Sequence, residues 1–389
     1  MSMQQSHNYR HSATSGIRVI AHVIDTLAPG GTERTLIALL RAFDPTRFRH
    51  VVVTLRGAGR LASELPDHAA CRPLYVEGRS RRAGVRLAAA VRELGAELIH
   101  ARNTGCWFDA SVARILHPRV RLVLGYHGSQ TGEPFGTRLR RKVRLGLMAG
   151  GHFTSVSGAG GRQLRDRVGV PARRIDVLQN GVELGRFVSA GAAVRREARE
   201  TMRIEPGDFV VGSVGSLTPV KRQVCLLEAL AAVAKRLPGA RVLLVGEGPL
   251  RVALTERARE LGIESRVVLT GQTADVPAML RCMDVYVCCS AVEGISNALL
   301  EAMASRLPVI TTDVGDHTLI VRDGVEGRII PVGATAELGV ALVALARDAE
   351  MRTRWGEAAR RRAAAFSFER TVRTYEAFYD RMLWRRPSP

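Results

Sequence analysis

The sequence predicts an α/β protein made of two Rossmann-like domains, each with a mainly parallel sheet. Apolar strand-like runs alternate with helical patterns along most of the chain, which is typical of parallel crossover units. Glycine-containing turns follow several of these runs, where strands would end and helices begin. The length of 389 residues suits two domains of ordinary size.

Composition supports a globular chain and argues against several other classes. The chain is 46% hydrophobic and 24% charged. No run of about 18 apolar residues occurs, so no membrane-spanning helix is predicted. The six cysteines include no C-x-x-C pair, which predicts reduced thiols in a cytoplasmic protein without a metal site. Residues 1–15 are polar and lack the apolar core of a signal peptide, so we expect a disordered tail.

Positive charge is concentrated in the N-terminal half. Residues 1–190 carry 29 Lys and Arg against 13 Asp and Glu, a net +16. The remaining residues carry 28 against 24, a net +4. The N-terminal half is therefore expected to face an anionic partner, namely a membrane surface, a phosphate-bearing acceptor or nucleic acid.

The first domain is predicted to open with a strand at 17–24, a glycine turn and the helix Arg34–Phe43. The turn contains Gly30 and Gly31 but is not G-x-G-x-x-G, so it does not specifically indicate a dinucleotide. Two adjacent glycines are more than a tight turn requires, which favours a loop that contacts a ligand. Further strands are predicted at His50–Leu55, Pro73–Val76, Leu98–Ala101, Arg121–Tyr126, Phe153–Val156 and Ile175–Leu178.

Polar side chains follow two of these strands. Arg102 and Asn103 come after the strand at Leu98–Ala101, and His127 comes after Arg121–Tyr126. Arg102 could bind an acceptor phosphate or form a buried ion pair, and the residues alone do not choose between these. A lone histidine at a strand end is more often structural than functional.

Residues 137–148 predict a basic amphipathic helix. Leu139, Val143 and Leu147 fall on one stripe, and basic side chains cover the other face. Such a helix either packs on the sheet with a solvated basic face or lies in the interface of an anionic membrane.

The predicted domain organisation has five parts. They are a tail at 1–15, an N-terminal domain at 16–184, a linker at 185–205, a second domain at 206–364 and a closing helix at 365–389.

Residues 292–315 are the most informative stretch of the second domain. They lie between two strand-like runs and contain a predicted helix from Ser296 to Ala304. Ligands of open parallel sheets bind beyond the carboxyl ends of strands, and helix N-termini attract anions. Gly294 would let a phosphate approach closely because glycine has no Cβ atom. Glu293 and Glu301 flank this anion site. Such carboxylates also occur without a ligand, in which case Glu293 would be an ordinary carboxylate at a helix start and Glu301 a solvated one.

Several segments of the chain resemble retaining glycosyltransferases of the GT-B fold, in the large family 4. The segments keep the order and spacing of that family, and their sequences are GGTERTLIALL, IDVLQNGVELGRF, VGSVGSLTPVKRQ, LLVGEGPLR, VVLTGQTADVPAMLRCMDVYV and EGISNALLEAMASRLPVI. The resemblance implies two Rossmann-like domains that face each other across a cleft. It assigns the acceptor to the N-terminal domain at 16–184 and the nucleotide-sugar to the domain at 206–364, and it implies that the closing helix at 365–389 returns to the first domain.

The resemblance also implies roles for particular residues. It places Glu293, His127 and Lys221 at the reacting centre. It assigns contacts with the donor to Glu301, Gly294, Ile295, Ser296, Asn297, Gly31, Arg222 and Val276, and weaker contacts with the acceptor to Arg102 and Asn103. Ser216 stands where the family often has an arginine for the diphosphate, and Arg222 is the residue that could compensate. Arg306 and Asp316 stand where glycine is more usual.

The implied function is transfer of a sugar from a nucleotide-sugar to a lipid-linked or surface polysaccharide acceptor, with retention of configuration. A UDP-sugar is the first expectation for the donor and GDP-mannose the second. No metal or other cofactor is expected, because no D-x-D motif occurs in a suitable place. The protein is expected in the cytoplasm or at the cytoplasmic face of the membrane, without a nucleic-acid partner. Two alternatives remain: a GT-B nucleotide-sugar epimerase, or a non-catalytic nucleic-acid- or membrane-binding protein with a degenerate donor site.

Overall fold

The computed structural model describes residues 17–76, 82–128, 136–188 and 191–384. The predicted tail at 1–15 lies outside these ranges. Residue contacts group the chain into two compact units, one of Met1–Leu124, Met148–Gly151 and Met382–Pro389, and the other of Gly125–Leu147 and His152–Arg381. The domain boundaries expected from the sequence stay a prediction.

Within the described ranges, the first sheet has seven strands. They are β1 Arg18–Ile24, β2 Phe48–Thr54, β3 Ala70–Pro73, β4 Leu98–Ala101, β5 Arg121–Tyr126, β6 His152–Ser155 and β7 Ile175–Val177. The strand order is β3-β2-β1-β4-β5-β6-β7, so the chain leaves β1 towards one edge and later resumes beside it with β4. The associated helices are α1 Gly31–Ala42, α2 Ala83–Glu93, α3 Trp107–Leu116, α4 Thr137–Met148 and α5 Gly158–Val168.

The third strand is shifted from its predicted position. The sequence predicts it at Pro73–Val76, but β3 ends at Pro73 and its last residue pairs with Thr54. Tyr75 has φ of +47° and a side chain that is 66% exposed, so the backbone leaves the extended region there. The predicted bounds were wrong because the apolar side chains after Pro73 suggested that the strand continues.

The second sheet has six strands. They are β8 Phe209–Val214, β9 Ala240–Val245, β10 Val267–Gly271, β11 Val285–Cys288, β12 Val309–Thr312 and β13 Gly327–Ile330. All described pairings are parallel, in the order β10-β9-β8-β11-β12-β13. The remaining helices are α6 Ala192–Thr201, α7 Gln223–Val233, α8 Arg251–Glu260, α9 Val276–Cys282, α10 Asn297–Ala304, α11 His317–Ile320, α12 Thr335–Arg347, α13 Ala349–Ala363 and α14 Phe368–Trp384.

Helices cover both faces of the second sheet. Successive strand residues point to opposite faces, so Val210 and Leu243 join one core cluster while Val211 and Leu244 join the other. The first cluster includes side chains of α9 and α10, and the second includes side chains of α7 and α12. Burial on both faces explains why these strands are nearly continuous apolar runs.

Within the described ranges, no helix combines the length and the apolar character needed to cross a membrane. All six cysteines lie in these ranges as free thiols, five of them buried.

Candidate active site

The candidate site lies where the strand order of the second sheet reverses. From β8 the chain builds β9 and β10 on one side, and it then returns to place β11 on the other side of β8. The loops that leave the carboxyl ends of β8 and β11 diverge at such a point and leave space for a ligand. The first loop contains Lys221 and the second contains Glu293.

Lys221 and Glu293 form an ion pair across this switch point. The Lys221 ammonium donates to Oε1 of Glu293, and the hydroxyl of Ser290 donates to the same oxygen at 2.9 Å. The two side chains of the pair are 27% and 13% exposed. Burial disfavours the ammonium, but the Glu293 carboxylate outweighs that effect and raises the pKa of Lys221. Lys221 is thus held as a cation at the edge of the sheet.

A second layer of polar groups from β12 and α11 supports this pair. The hydroxyl of Thr312 donates to the carbonyl oxygen of Ser290 at 2.6 Å. Nδ1 of His317 lies 2.7 Å from Oγ1 of Thr311 and 3.2 Å from the carbonyl oxygen of Thr312. Burial lowers the pKa of His317, although the Glu293 carboxylate acts in the opposite direction. The sequence prediction did not include these supporting residues. A signal for two of them was present, because Ser290 follows β11 and Thr312 is the last residue of β12.

The helix that follows the Glu293 loop begins as the sequence predicts. Ser296 is the N-cap of α10, and its side chain accepts a hydrogen bond from the N–H of Leu299 at 3.3 Å. Asn297 opens the helix and its Oδ1 accepts from Nδ2 of Asn180 at 3.1 Å. Ile295 is only 7% exposed and its side chain belongs to the core cluster, so only its backbone can face a ligand.

Gly294 lies close to the side chain of Ser157 and to the backbone of His127. A Cβ atom at this position would lie 3.2 Å from Oγ of Ser157 and 3.8 Å from the carbonyl oxygen of His127. A side chain there would therefore crowd the hydroxyl group of Ser157. The carbonyl oxygen of His127 lies beside the loop of Glu293, and the roles that the resemblance implies for these two residues stay predictions.

Glu301 lies one turn into α10, and its carboxyl group is largely enclosed. Burial, with a smaller contribution from Glu183, raises the pKa of Glu301 to about 7, although Arg186 acts in the opposite direction. When this carboxyl group is ionised, it is a strong hydrogen-bond acceptor for a hydroxyl group of a ligand.

Arg222 and Val276, two residues predicted to contact the donor, are not part of the Lys221–Glu293 ion pair. Arg222 adopts a left-handed conformation with φ of +49°, and its guanidinium lies beside Gly333 in the loop after β13. Ser216 is exposed, and its carbonyl oxygen accepts from the buried Gln223 side chain at 3.0 Å. Val276 is the first residue of α9, after the N-cap Asp275.

The remaining predicted residues belong to the other unit. Gly31 is the exposed first residue of α1, and a Cβ atom there would meet nothing within 4 Å. Arg102 is fully buried, with a guanidinium nitrogen 3.4 Å from Nδ1 of His100. Asn103 accepts the N–H of Cys106 at 3.3 Å. These loops follow β1 and β4, the strands at which the order of the first sheet reverses.

No group of three or more His, Cys, Asp or Glu side chains in the described part of the chain is arranged to hold a metal ion. Metal independence stays a prediction.

Two family models match consecutive parts of the chain. The model described as Glycosyltransferase Family 4 matches residues 29–186, and the model described as Glycosyl transferases group 1 matches residues 194–362.

Curated relatives point in the same direction. D-inositol 3-phosphate glycosyltransferase of Nocardia farcinica is 35% identical over 233 residues, which are 57% of this chain and 51% of that protein. N-acetyl-alpha-D-glucosaminyl L-malate synthase of Bacillus anthracis is 26% identical over 68% of this chain and 69% of its own. The chain spans about half the length of the first of these relatives.

Solved structures confirm the predicted fold. The structure of HepE from Anabaena in complex with UDP superposes with a TM-score of 0.82 at 22% identity, covering 94% of this chain and 100% of that chain. A glycosyltransferase from Rickettsia africae superposes with a TM-score of 0.82 at 16% identity, covering 96% and 100%. With its two parallel sheets and the two matching models, the chain has the GT-B fold and belongs to glycosyltransferase family 4.

Proposed function

We propose that this protein is a glycosyltransferase that takes its sugar from a nucleotide-sugar donor. The observation that carries the proposal is the Lys221–Glu293 pair at the switch point of the second sheet, beside the N-terminus of α10. This arrangement offers a fixed cation and backbone N–H groups to an anion. A nucleoside diphosphate is the anion that a donor of this class contributes.

The diphosphate would lie between Lys221 and the backbone of Gly294–Asn297. As the bond to the sugar breaks, negative charge grows on the leaving phosphate. The ammonium and the helix N-terminus are already oriented towards it, so they stabilise the transition state with little reorganisation. Lys221 would then be shared between Glu293 and the phosphate.

The ribose of the donor would bind to Glu301. Its carboxylate can accept hydrogen bonds from two neighbouring hydroxyls once it is ionised. Because burial raises the pKa of this group to about 7 in the free protein, bound ribose should favour the ionised form. Nucleotide affinity is therefore expected to fall as the pH drops below about 7.

The transferred sugar would lie near Glu293 and His127, whose carbonyl group lies beside Gly294. We propose retention through attack on the same face of the sugar, assisted by the leaving phosphate. The pairing of Glu293 with Lys221 makes Glu293 a poor candidate for the nucleophile of a double displacement, because a paired carboxylate is a weaker nucleophile.

A UDP-sugar is the proposed donor, and GDP-mannose is the second candidate. The solved HepE structure contains UDP, which supports the first choice. For the acceptor we propose a lipid-linked or surface-polysaccharide intermediate, in keeping with the +16 charge of residues 1–190. The Nocardia relative is named for a phosphorylated acceptor, and a phosphate-bearing acceptor would suit the same charge.

The donor assignment is tested by thermal unfolding with UDP, GDP, ADP and NAD, without metal. A ligand at 100 times its dissociation constant stabilises the native state by about 2.7 kcal/mol, which raises Tm by a few degrees at this size. We expect UDP to raise Tm and NAD to leave it unchanged. A folded sample that responds to no nucleoside diphosphate would overturn the donor assignment.

We also propose that α4 contacts an anionic membrane surface at the cytoplasmic face. Val143 and Gly146 of this helix are buried, while Met148 is 82% exposed. The exposed basic side chains are Arg138, Arg140, Arg141 and Arg144. A basic face beside an exposed apolar side chain is the pattern of an interfacial helix, and each basic residue near an anionic surface contributes about 1 kcal/mol.

Co-sedimentation with vesicles tests this contact. The wild type should bind vesicles that contain anionic phosphatidylglycerol and not neutral phosphatidylcholine vesicles. Replacing the four exposed α4 arginines by serine should abolish binding. The matched control replaces four exposed arginines elsewhere, at Arg354, Arg361, Arg370 and Arg373. Equal loss in both variants would show a general charge effect and refute a specific role for α4.

A further inference from the structure

Asp316 is a fully buried carboxylate in the loop that follows β12. Its two oxygens accept hydrogen bonds from the N–H groups of Gly158 at 2.5 Å and Ala159 at 2.8 Å, the first two residues of α5. A guanidinium nitrogen of Arg162, on the same helix, lies 3.8 Å away. All four residues belong to the second compact unit. A negative group at a helix N-terminus is electrostatically favourable, so this contact fixes the position of residue 316 firmly.

The backbone of the same segment holds the loop of Glu293. The N–H of Asp316 donates to the carbonyl oxygen of Gly294 at 3.0 Å. Gly315 has φ of +59°, and a Cβ atom there would lie 2.4 Å from the carbonyl oxygens of both Glu293 and Gly294. The two loops therefore pack backbone against backbone, and a shift of one must move the other.

We propose that Asp316 is a positioning residue for the donor-binding loop. Its carboxylate anchors residue 316 to α5, and its N–H transmits that position to Gly294 and hence to the adjacent Lys221–Glu293 pair. The proposal rests on the proposed donor role of this loop and adds a determinant of its geometry.

A simpler role would be to cap α5 and nothing more. This helix already has a cap, because Oγ of Ser157 accepts from the N–H of Gly160 at 3.0 Å. The chain also offers a matched cap in another place. Asp348 is the N-cap of α13, and its carboxylate accepts from the N–H of Met351 at 2.7 Å. Removing either carboxylate leaves helix N–H groups without their acceptor, but only Asp316 is bonded to the Glu293 loop.

The test compares Asp316→Ala and Asp316→Asn with Asp348→Ala in the full chain. Hydrogen–deuterium exchange is measured for peptides that cover residues 289–300, and UDP affinity is measured by calorimetry. We expect Asp316→Ala to increase exchange in this loop and to weaken UDP binding about tenfold. Asp316→Asn keeps one acceptor oxygen and should weaken UDP binding about threefold. Asp348→Ala should lower Tm but leave both loop exchange and affinity within twofold of wild type.

The two readouts separate this inference from the proposed function. If the wild type binds no nucleoside diphosphate, the donor assignment fails, and the exchange data alone decide whether Asp316 positions the loop. If the wild type binds UDP but Asp316→Ala behaves like Asp348→Ala in both measurements, Asp316 is only a helix cap and the inference is overturned. Asp313→Ala, which removes an exposed carboxylate from the same loop, controls for a general loss of charge.

Discussion

Two clusters of polar side chains, one in each sheet, differ in their position relative to the strands and in whether their groups are charged. In the first sheet, His22, His50 and His100 lie within strands and are at most 1% exposed. Nε2 of His22 lies 3.0 Å from Nδ1 of His50, and the His50 ring stacks on Phe43. In the second sheet, Lys221 and Glu293 lie beyond the strand ends and remain partly exposed.

Burial disfavours the charged form in both clusters, but the two clusters end in opposite charge states. It lowers the pKa of His22, and it lowers the pKa of His50 to about 3, with nearby positive charges adding to the effect. Both imidazoles are therefore neutral at physiological pH. At the other site the carboxylate of Glu293 outweighs burial and keeps Lys221 charged. Polar residues inside strands thus serve packing, while those beyond the carboxyl ends can meet a charged ligand.

The strongest test of this contrast is Lys221→Ala. The change removes the cation proposed to stabilise the leaving phosphate and leaves Glu293 without its partner. We expect sugar transfer to fall by about 100-fold, the scale for losing one preorganised electrostatic contact. The measurement is kcat with a UDP-sugar donor. Lys235→Ala, at an exposed position on the same unit, should keep wild-type turnover. Full activity of Lys221→Ala would remove this residue from the mechanism.

The histidine cluster should make the protein sensitive to acid. A histidine whose pKa is depressed in the native state binds a proton more readily when unfolded, so stability is present above the unfolded value of 6.5 and declines as the pH falls below it. Between pH 6.5 and 5.0, His50 alone should cost about 2 kcal/mol. Urea unfolding at pH 7.5 and 5.0 measures this difference.

The His50→Leu variant should reduce the stability loss between the two pH values, whatever its effect at pH 7.5. His117→Gln is the control, because His117 is the half-buried C-cap of α3 and lies outside the histidine cluster. An unchanged pH dependence in His50→Leu would show that the buried ring is not titrating on unfolding.

Glu301→Gln should separate stability from binding. The native pKa of about 7 lies above that of an unfolded glutamate, so the carboxyl group stabilises the fold below about pH 4.5 and this contribution is lost as the pH rises through 7. At pH 8 the glutamine variant should therefore be more stable by about 1–3 kcal/mol. UDP affinity should nevertheless fall about tenfold, because glutamine accepts hydrogen bonds from ribose less strongly.

Calorimetry measures UDP affinity, and thermal unfolding of the same samples measures stability. Glu256→Gln, at an exposed position on α8, is the matched control and should change neither. Equal donor affinity and turnover in Glu301→Gln and wild type would refute the ribose assignment.

The smallest expected effect belongs to Ser290→Ala. This change removes one hydrogen bond to Glu293 and leaves the Lys221 pair in place. A single hydrogen bond of this kind contributes about 1 kcal/mol, so turnover should fall about threefold to tenfold with little change in Tm. A loss as large as that of Lys221→Ala would mean that Ser290 contacts the reacting groups directly.

The fold class and the local structure of the candidate site follow from short-range patterns in the sequence. Apolar runs and glycine turns predict parallel strands because strands buried on both faces need continuous apolar residues. The stretch around Ser296 predicts a strand, a capped helix and a strand because N-caps are chosen by short-range hydrogen bonding. Local chemistry of this kind can be read without knowing the rest of the chain.

Only the tertiary structure decided which distant residues meet. Lys221 and Glu293 are 72 positions apart, and the strand order β8-β11 makes them partners. Asp316 and Gly158 are 158 positions apart, and their hydrogen bond joins the loop after β12 to the start of α5. The burial of Arg102 and the orientation of Arg222 towards Gly333 likewise depend on packing. Long-range pairing and burial arise from the arrangement of whole elements, and no short segment of sequence specifies that arrangement.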